Sequence, residues 1–182
     1  MKKIIVIGGG ASGLMAAITA ARQGTKVTLL EKNKQTGKKI LVTGNGRCNF
    51  TNRNQELSKY RSDDPELVRQ ALDAFPMLQT VEFFEELGLL VKDRAGYLYP
   101  NSGQAASVAE LLRLEAQRLQ IKMACNTEVL AIEKDDDVFR VKAEGWVYEG
   151  DAVILACGSK AAPETGSTGD GYRFAKHFGH TV

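Results

Sequence analysis

Apolar and polar positions alternate in this chain with two different periods, and the change of period marks its elements. Ile4-Ile5-Val6-Ile7 is an unbroken apolar run, followed by Gly8-Gly9-Gly10-Ala11-Ser12-Gly13, an Ala-rich segment up to Gly24, and then Lys26-Val27-Thr28-Leu29-Leu30 ending at Glu31. Short apolar runs bounded by glycine predict buried strands, and the Ala-rich segment between them predicts a helix. Strand, glycine turn, helix, strand and terminal acid follow one another in the order of a dinucleotide-binding βαβ unit.

Each part of that unit has a physical task. Gly8 permits the tight turn out of the first strand, Gly10 lets backbone approach a pyrophosphate, and Gly13 removes a side chain where helix presses on sheet. Ala11 and Ser12 lie at the helix N-terminus, where free N–H groups and the positive dipole end face the phosphates. Glu31 is placed to accept both ribose hydroxyls of an adenosine, and its charge disfavours a 2′-phosphate there. The pattern therefore points to FAD or NAD rather than NADP. The same segment imitates a secretory signal, with Lys2-Lys3, an apolar run and Thr19-Ala20-Ala21. Three consecutive glycines in the supposed apolar core argue against export.

Further along, Lys32 to Arg53 carries six basic residues, no acid and three glycines, and reads as one long shaped loop. Residues 64–74 and 77–88 are predicted helical, with Asp63 or Asp64 as the cap of the first and Pro65 in its first turn. Leu78, Val81, Phe84 and Leu87 give the second an apolar stripe, which Gly88 ends. Leu89-Leu90-Val91 and Tyr97-Leu98-Tyr99 flank Asp93–Gly96 as a hairpin. A helix is expected over 104–119, with Val108, Leu111, Leu112 and Leu119 inward. The runs Ile121–Ala124, Glu128–Glu133, Val138–Ala143 and Trp146–Glu149 follow, the last three as an antiparallel meander. Ala152–Ala156 then reads as a buried parallel strand stopping at Cys157-Gly158.

A plain dehydrogenase would continue with alternating helices and strands. A meander that returns to a parallel strand is the plan of an α/β, FAD/NAD(P)-binding Rossmann-like fold of the glutathione-reductase type, three-layered, with a parallel sheet and a three-stranded β-meander. Ala156-Cys157-Gly158 stands where such proteins carry Ala-Thr-Gly beside the dinucleotide.

Composition narrows the reading. The chain has 182 residues, 43% hydrophobic and 25% charged, with a net charge of +2. That allows one good core with room for a small appendage, and gives no global pull toward nucleic acid or membrane. Cys48, Cys125 and Cys157 are widely separated, with no Cys-x-x-Cys, and suit a reducing cytoplasm rather than a zinc or dithiol site. The two histidines, His177 and His180, fall at the C-terminal end and read as helix-end decoration with Gly179 as the C-cap. No metal site is expected, and no catalytic residue can be named.

Three strings closely resemble one family, the bacterial BaiN/RdsA-like flavoproteins of the aminoacetone-oxidase type. They are Gly37–Asn52 (GKKILVTGNGRCNFTN), Gly96-Tyr97-Leu98-Tyr99-Pro100, and Gly166–Tyr172 (GSTGDGY). The resemblance runs from Lys2 to Val182. It implies that the loop Gly44–Asn49 passes beside a flavin, that Lys38 or Lys39 lies near the cofactor phosphates, and that Thr168-Gly169-Asp170 closes the far side. Gly-Asn-Gly can also turn amides toward an anion, with Arg47 supplying positive charge. Cys48 is read as a small packing residue, because no resolving cysteine lies near it in sequence.

The expected cofactor-binding set accordingly adds Lys32, Lys38, Lys39, Thr43, Gly44, Gly46, Arg47, Cys48 and Asn49 to the first unit, with Val129, Ala156, Gly158, Thr168 and Gly169 from the second half. The resemblance implies FAD as cofactor, with NAD(P)H a possible electron donor and a small molecule as substrate. By the same resemblance the chain is the N-terminal portion, 1–182, of an FAD-binding domain, without the inserted domain and C-terminal return. A flavin-dependent oxidoreductase is the expected function of the whole, and a non-catalytic FAD/NAD-binding module is the alternative. RNA binding through Lys32–Arg53 is disfavoured, since Phe50 is its single stacking ring and net charge is small.

Overall fold

The computed structural model describes residues 1–182. In chain order the elements are β1 (Lys3–Ile7), α1 (Ala11–Arg22), β2 (Lys26–Leu30), α2 (Lys38–Val42), β3 (Thr51–Asn52), α3 (Pro65–Ala74), α4 (Met77–Glu86), β4 (Val91–Arg94) and β5 (Tyr97–Pro100). They continue with α5 (Ala105–Arg118), β6 (Lys122–Ala124), β7 (Val129–Asp135), β8 (Val138–Ala143), β9 (Trp146–Gly150), β10 (Ala152–Leu155) and α6 (Asp170–His177). The chain divides into two compact units, Met1–Ile40 with Leu112–Val182, and Leu41–Leu111.

The first unit is built on a four-stranded parallel sheet of order β10-β1-β2-β6. Helix α1 packs on β1 and β2 with Leu14, Ala17 and Ile18 buried. Residue Glu115, on the same stretch of chain as the buried Leu112 and Ala116, takes Arg22 of α1 and Arg118 as ion-pair partners at 2.9 and 2.6 Å. Its carboxyl is held below the ordinary glutamate range, first by the Arg118 hydrogen bond, against the opposing effect of burial.

The antiparallel meander β7-β8-β9 forms the next layer. Ile5, Ile7 and Leu30 of the sheet meet Val129, Ile132 and Val141 of the meander and Phe174 of α6 in one apolar cluster. Helix, parallel sheet and meander make three layers, as the apolar pattern predicts. Helix α6 ends in a glycine motif. Gly179 has φ 82°, its N–H reaches the Lys176 carbonyl, and the His180 N–H reaches that of Ala175. Phe178 is thus the cap residue, and Gly179 follows it.

The second unit carries a small antiparallel sheet, β3-β5-β4, with α3 and α4. Asp64, not Asp63, caps α3 by accepting from the Leu67 N–H at 3.1 Å. The β4–β5 turn is tighter than expected, because Asp93 and Arg94 belong to the strand and pair with Leu98 and Tyr97. Ala95 and Gly96 alone make the turn, both left-handed.

Several sequence expectations need correction. The stretch 32–53 is not one loop, since it contains α2 and β3. Phe50 lies edge-on to Phe84, with ring centroids 5.1 Å apart, and that contact ties the start of β3 to α4. Leu78 is exposed, and the buried stripe of α4 is Phe83 and Phe84. Strand β10 is parallel to β1 as expected, yet it is only half-buried and Leu155 is 38% exposed. It lies at an edge of the sheet, where one flank has no neighbouring strand. No helix is long and apolar enough to cross a membrane.

Candidate dinucleotide site

The site sits at the C-terminal edge of the parallel sheet, where β1 turns into α1 and β2 ends. Two close approaches define the turn. A Cβ on Gly8 would lie 2.4 Å from the Ala156 carbonyl oxygen, and one on Gly13 would lie 1.8 Å from the Gly8 carbonyl oxygen. The glycines let the first turn of α1 and the end of β10 press on the same peptide. Gly10 differs, because a Cβ there would meet no protein atom within 4 Å. Its extended backbone begins α1 without a side-chain cap, and Ala11 and Ser12 are exposed at the helix start. The first helical N–H groups have no carbonyl four residues back to bond, so this helix end offers donors and positive potential to an anion.

Glu31 follows β2 directly and is 7% exposed. One carboxylate oxygen accepts the Gly9 N–H at 2.7 Å. The other accepts the Asn33 N–H at 2.7 Å and the Asn33 side-chain Nδ2 at 2.5 Å. A Cβ on Gly9 would lie 2.7 Å from a Thr36 methyl and 3.1 Å from Glu31, so Gly9 also belongs to the site, for a reason the sequence motif does not state.

Lys32, Lys38 and Lys39 follow Glu31 along the chain. Lys32 Nζ donates to Thr168 Oγ1 at 2.7 Å and pairs with Asp170 at 3.1 Å. Thr168 Oγ1 donates to the same carboxylate at 2.6 Å. The Thr168 hydrogen bond, with Lys32 behind it, holds the Asp170 carboxyl below its ordinary range. Lys38 Nζ donates to the Glu164 carbonyl at 2.8 Å. Lys39 is half-buried in α2. Gly158 and Gly169 both have positive φ, and a Cβ on them would press on Ser167 and Lys160 respectively. Val129 has its side chain in the core cluster, so a ligand would meet that residue through its backbone alone.

Within the first unit, then, Gly8, Gly10, Ala11, Ser12, Gly13, Glu31, Lys32, Ala156, Thr168 and Gly169 fall at the end of the βαβ unit or in the segments hydrogen-bonded to it. Thr43, Gly44, Gly46, Arg47, Cys48 and Asn49 belong to the second unit. There, Gly44, Asn45 and Gly46 are three consecutive left-handed residues, with φ of 54°, 53° and 77°. The Cys48 N–H closes the loop on the Thr43 carbonyl at 3.0 Å, and Ala105 N–H donates to the Gly46 carbonyl at 2.7 Å. Asn49 Nδ2 donates to the Thr51 and Leu98 carbonyls, fastening the loop to β3 and β5. Arg47 is exposed.

None of the thiols is activated. Burial pushes the Cys48 thiol up, and burial together with Glu31 does so for Cys125. Cys157 is pushed up to about 11, first by burial and then by Asp170. All three are free. Because the thiolate is the reactive form, iodoacetamide at pH 8 should label the folded protein far more slowly than the denatured chain. Cys48→Ser should keep cofactor affinity within about twofold, as expected for a packing exchange of similar volume. Rapid labelling of Cys48, read by mass spectrometry, would reassign it as a reactive group.

The family model described as HI0933-like protein Rossmann domain matches residues 2–182. The 3-dehydro-bile acid delta(4,6)-reductase of Clostridium scindens is 48% identical over the whole chain, which covers 45% of that protein. The ribosomal RNA dihydrouridine synthase of Escherichia coli is 30% identical over 98% of the chain and 44% of its own length. The chain thus spans somewhat less than half the length of these relatives. Among solved structures, the 3-ketosteroid-delta4-(5alpha)-dehydrogenase of Rhodococcus jostii superposes with TM-score 0.65 at 17% identity, over 87% of this chain and 46% of that one. A flavocytochrome c3 fumarate reductase gives 0.63 at 20%, over 97% and 40%. These two likenesses establish a Rossmann-type α/β fold, the fold class expected from the meander.

Proposed function

The chain belongs to the HI0933-like protein Rossmann domain family, and from that premise we propose that it is the FAD-binding part of a flavin-dependent oxidoreductase acting on a small molecule. The observation that carries the reading is the pairing of an open Gly10 with a buried Glu31 across one turn. The pyrophosphate is held by the N–H groups of α1, and Glu31 takes the adenosine ribose. Lys32, Lys38 and Lys39 offset phosphate charge, and Ala156 and Gly158 line the approach from β10, with Thr168 and Gly169 beyond. The family resemblance assigns the left-handed Gly44–Gly46 turn and Arg47 to flavin contacts, and Thr43, Cys48 and Asn49 hold that turn in shape. When bound, FAD supplies the hydride chemistry. The residues of this chain bind and orient it.

The substrate reading rests on the 48%-identical bile-acid reductase and on the modest net charge. A 3-dehydro bile acid is the first compound to assay, with NADH, NADPH and oxygen as redox partners. Membrane and nucleic acid are outside this reading, and the setting is cytoplasmic. The 30%-identical ribosomal RNA dihydrouridine synthase keeps RNA as the control substrate in the same assay.

The test is purification of the full-length protein, identification of the released flavin, and turnover with each substrate and donor. FAD with turnover of the small molecule is the expected result. FAD without turnover on any substrate or donor would favour the non-catalytic binding module, and a colourless protein that takes up no FAD would overturn the assignment.

A further inference from the structure

We propose that Asn33 is a positioning residue, which fixes the Glu31 carboxylate and leaves it able to accept one ribose hydroxyl rather than two. The inference rests on Glu31 as the ribose ligand and deepens that reading.

An ionised carboxylate has about four lone-pair sites. Three are taken by this chain. One oxygen receives both Asn33 donors, the backbone N–H at 2.7 Å and Nδ2 at 2.5 Å, and the other receives the Gly9 N–H at 2.7 Å. A single acceptor position remains, on the oxygen that faces Gly9.

Asn33 is itself held on several sides. Its carbonyl accepts the Asn126 N–H at 2.9 Å, tying it to the chain between β6 and β7. Its Oδ1 faces Lys38 Nζ at 3.5 Å, and that ammonium is anchored by the Glu164 carbonyl at 2.8 Å. The charges on either side decide which way the amide points, because a flipped amide would put oxygen on carboxylate and N–H on ammonium. Gly166 closes the remaining side, since a Cβ there would lie 2.6 Å from Asn33 Nδ2. The turn at Pro163–Gly166 thus lies against the amide that bonds Glu31.

The consequence is asymmetric ribose recognition. A carboxylate with both oxygens available would bond the 2′- and 3′-hydroxyls together, whereas this one bonds a single hydroxyl. The probe is ADP with its 2′-deoxy and 3′-deoxy analogues, titrated by calorimetry into the full-length protein freed of flavin. We expect one deoxy analogue to bind about tenfold weaker than ADP, the scale of one lost hydrogen bond to a charged group, and the other within about twofold.

Asn33→Leu removes the side-chain donor at similar volume, and Asn33→Ser does so with less demand on the space beside Gly166. In both variants the two analogues should become similarly weak relative to ADP, a change in preference that general loosening would not produce. Equal losses for both analogues in the unmodified protein would overturn the Asn33 inference and leave Glu31 as the ribose ligand. A one-sided preference that survives in both variants would also overturn it. Analogues that bind as well as ADP would overturn the ribose reading itself.

Discussion

Gly13→Ala should leave little folded protein, whereas Gly10→Ala should fold and lose the dinucleotide. Both glycines belong to one motif, yet their surroundings are opposite. The Cβ of an alanine at 13 would lie 1.8 Å from the Gly8 carbonyl oxygen and 3.3 Å from the Ala156 side chain. The first contact is backbone inside the turn that joins β1 to α1, so relief requires α1 to lift off the sheet that buries Leu14, Ala17 and Ile18. Overpacking of this kind costs about 3 kcal/mol or more, a large part of the stability of an ordinary domain. At position 10 no protein atom lies within 4 Å of the added Cβ, and φ is −76°, open to any L-residue. Stability there should change by less than about 0.5 kcal/mol. The methyl would instead occupy the space through which a pyrophosphate reaches the helix N-terminus, and FAD affinity should fall at least about tenfold. Urea unfolding with flavin titration separates the two effects. A stable Gly13→Ala protein, or undiminished FAD binding by Gly10→Ala, would break the division of labour.

Much of this arrangement is legible in the sequence because it is local. The βαβ unit, the meander and the helix over 105–118 are written in periods of two or of three to four residues, with glycines where the backbone must turn. What is not legible depends on neighbours far along the chain. Ala152–Leu155 is as apolar as β1, and only the strand order places it at an edge and leaves Leu155 partly exposed. Phe83 and Phe84 are adjacent, so a helical period that selects Phe84 passes over Phe83, which packs edge-on to its neighbour at 5.2 Å. Gly9 reads as a spare glycine until Thr36 and Glu31 are seen against it. Asn33 gave no signal at all, since an asparagine after a strand usually marks a turn. Its significance comes from Asn126, Lys38 and Gly166, three partners in three separate segments of the chain.

The division into units also limits what composition can say about ligands. Lys32, Lys38 and Lys39 belong with the βαβ unit, whereas Arg47 and Arg53 belong with the small sheet, where Arg53 pairs with Asp93. A basic stretch that looks continuous in sequence is therefore shared between two structures. Two of its lysines are engaged by Asp170 and by the Glu164 carbonyl.

Glu31→Ala should damage stability and binding together, and Glu31→Gln should separate them. Glu31 is 7% exposed, and three donors converge on its carboxylate. Alanine would strand the Gly9 and Asn33 N–H groups beside an apolar methyl, a loss of about 2–3 kcal/mol for donors that had a charged acceptor. It would also remove the ribose ligand, weakening FAD binding by a further factor of about 10 to 100. Glutamine keeps the volume and one acceptor oxygen. With that oxygen turned to Asn33, its amide N–H₂ meets the Gly9 N–H, donor against donor, so part of the stability is lost and the acceptor that faces the ribose disappears. The folded Glu31→Gln protein should therefore bind FAD about tenfold more weakly than the unmodified one, with a smaller drop in unfolding free energy than Glu31→Ala. Denaturant unfolding and calorimetric FAD titration of the full-length variants measure the two quantities. Undiminished FAD affinity in a folded Glu31→Gln protein would remove Glu31 from the cofactor site, and unchanged stability in Glu31→Ala would mean that the three hydrogen bonds contribute nothing net to the fold.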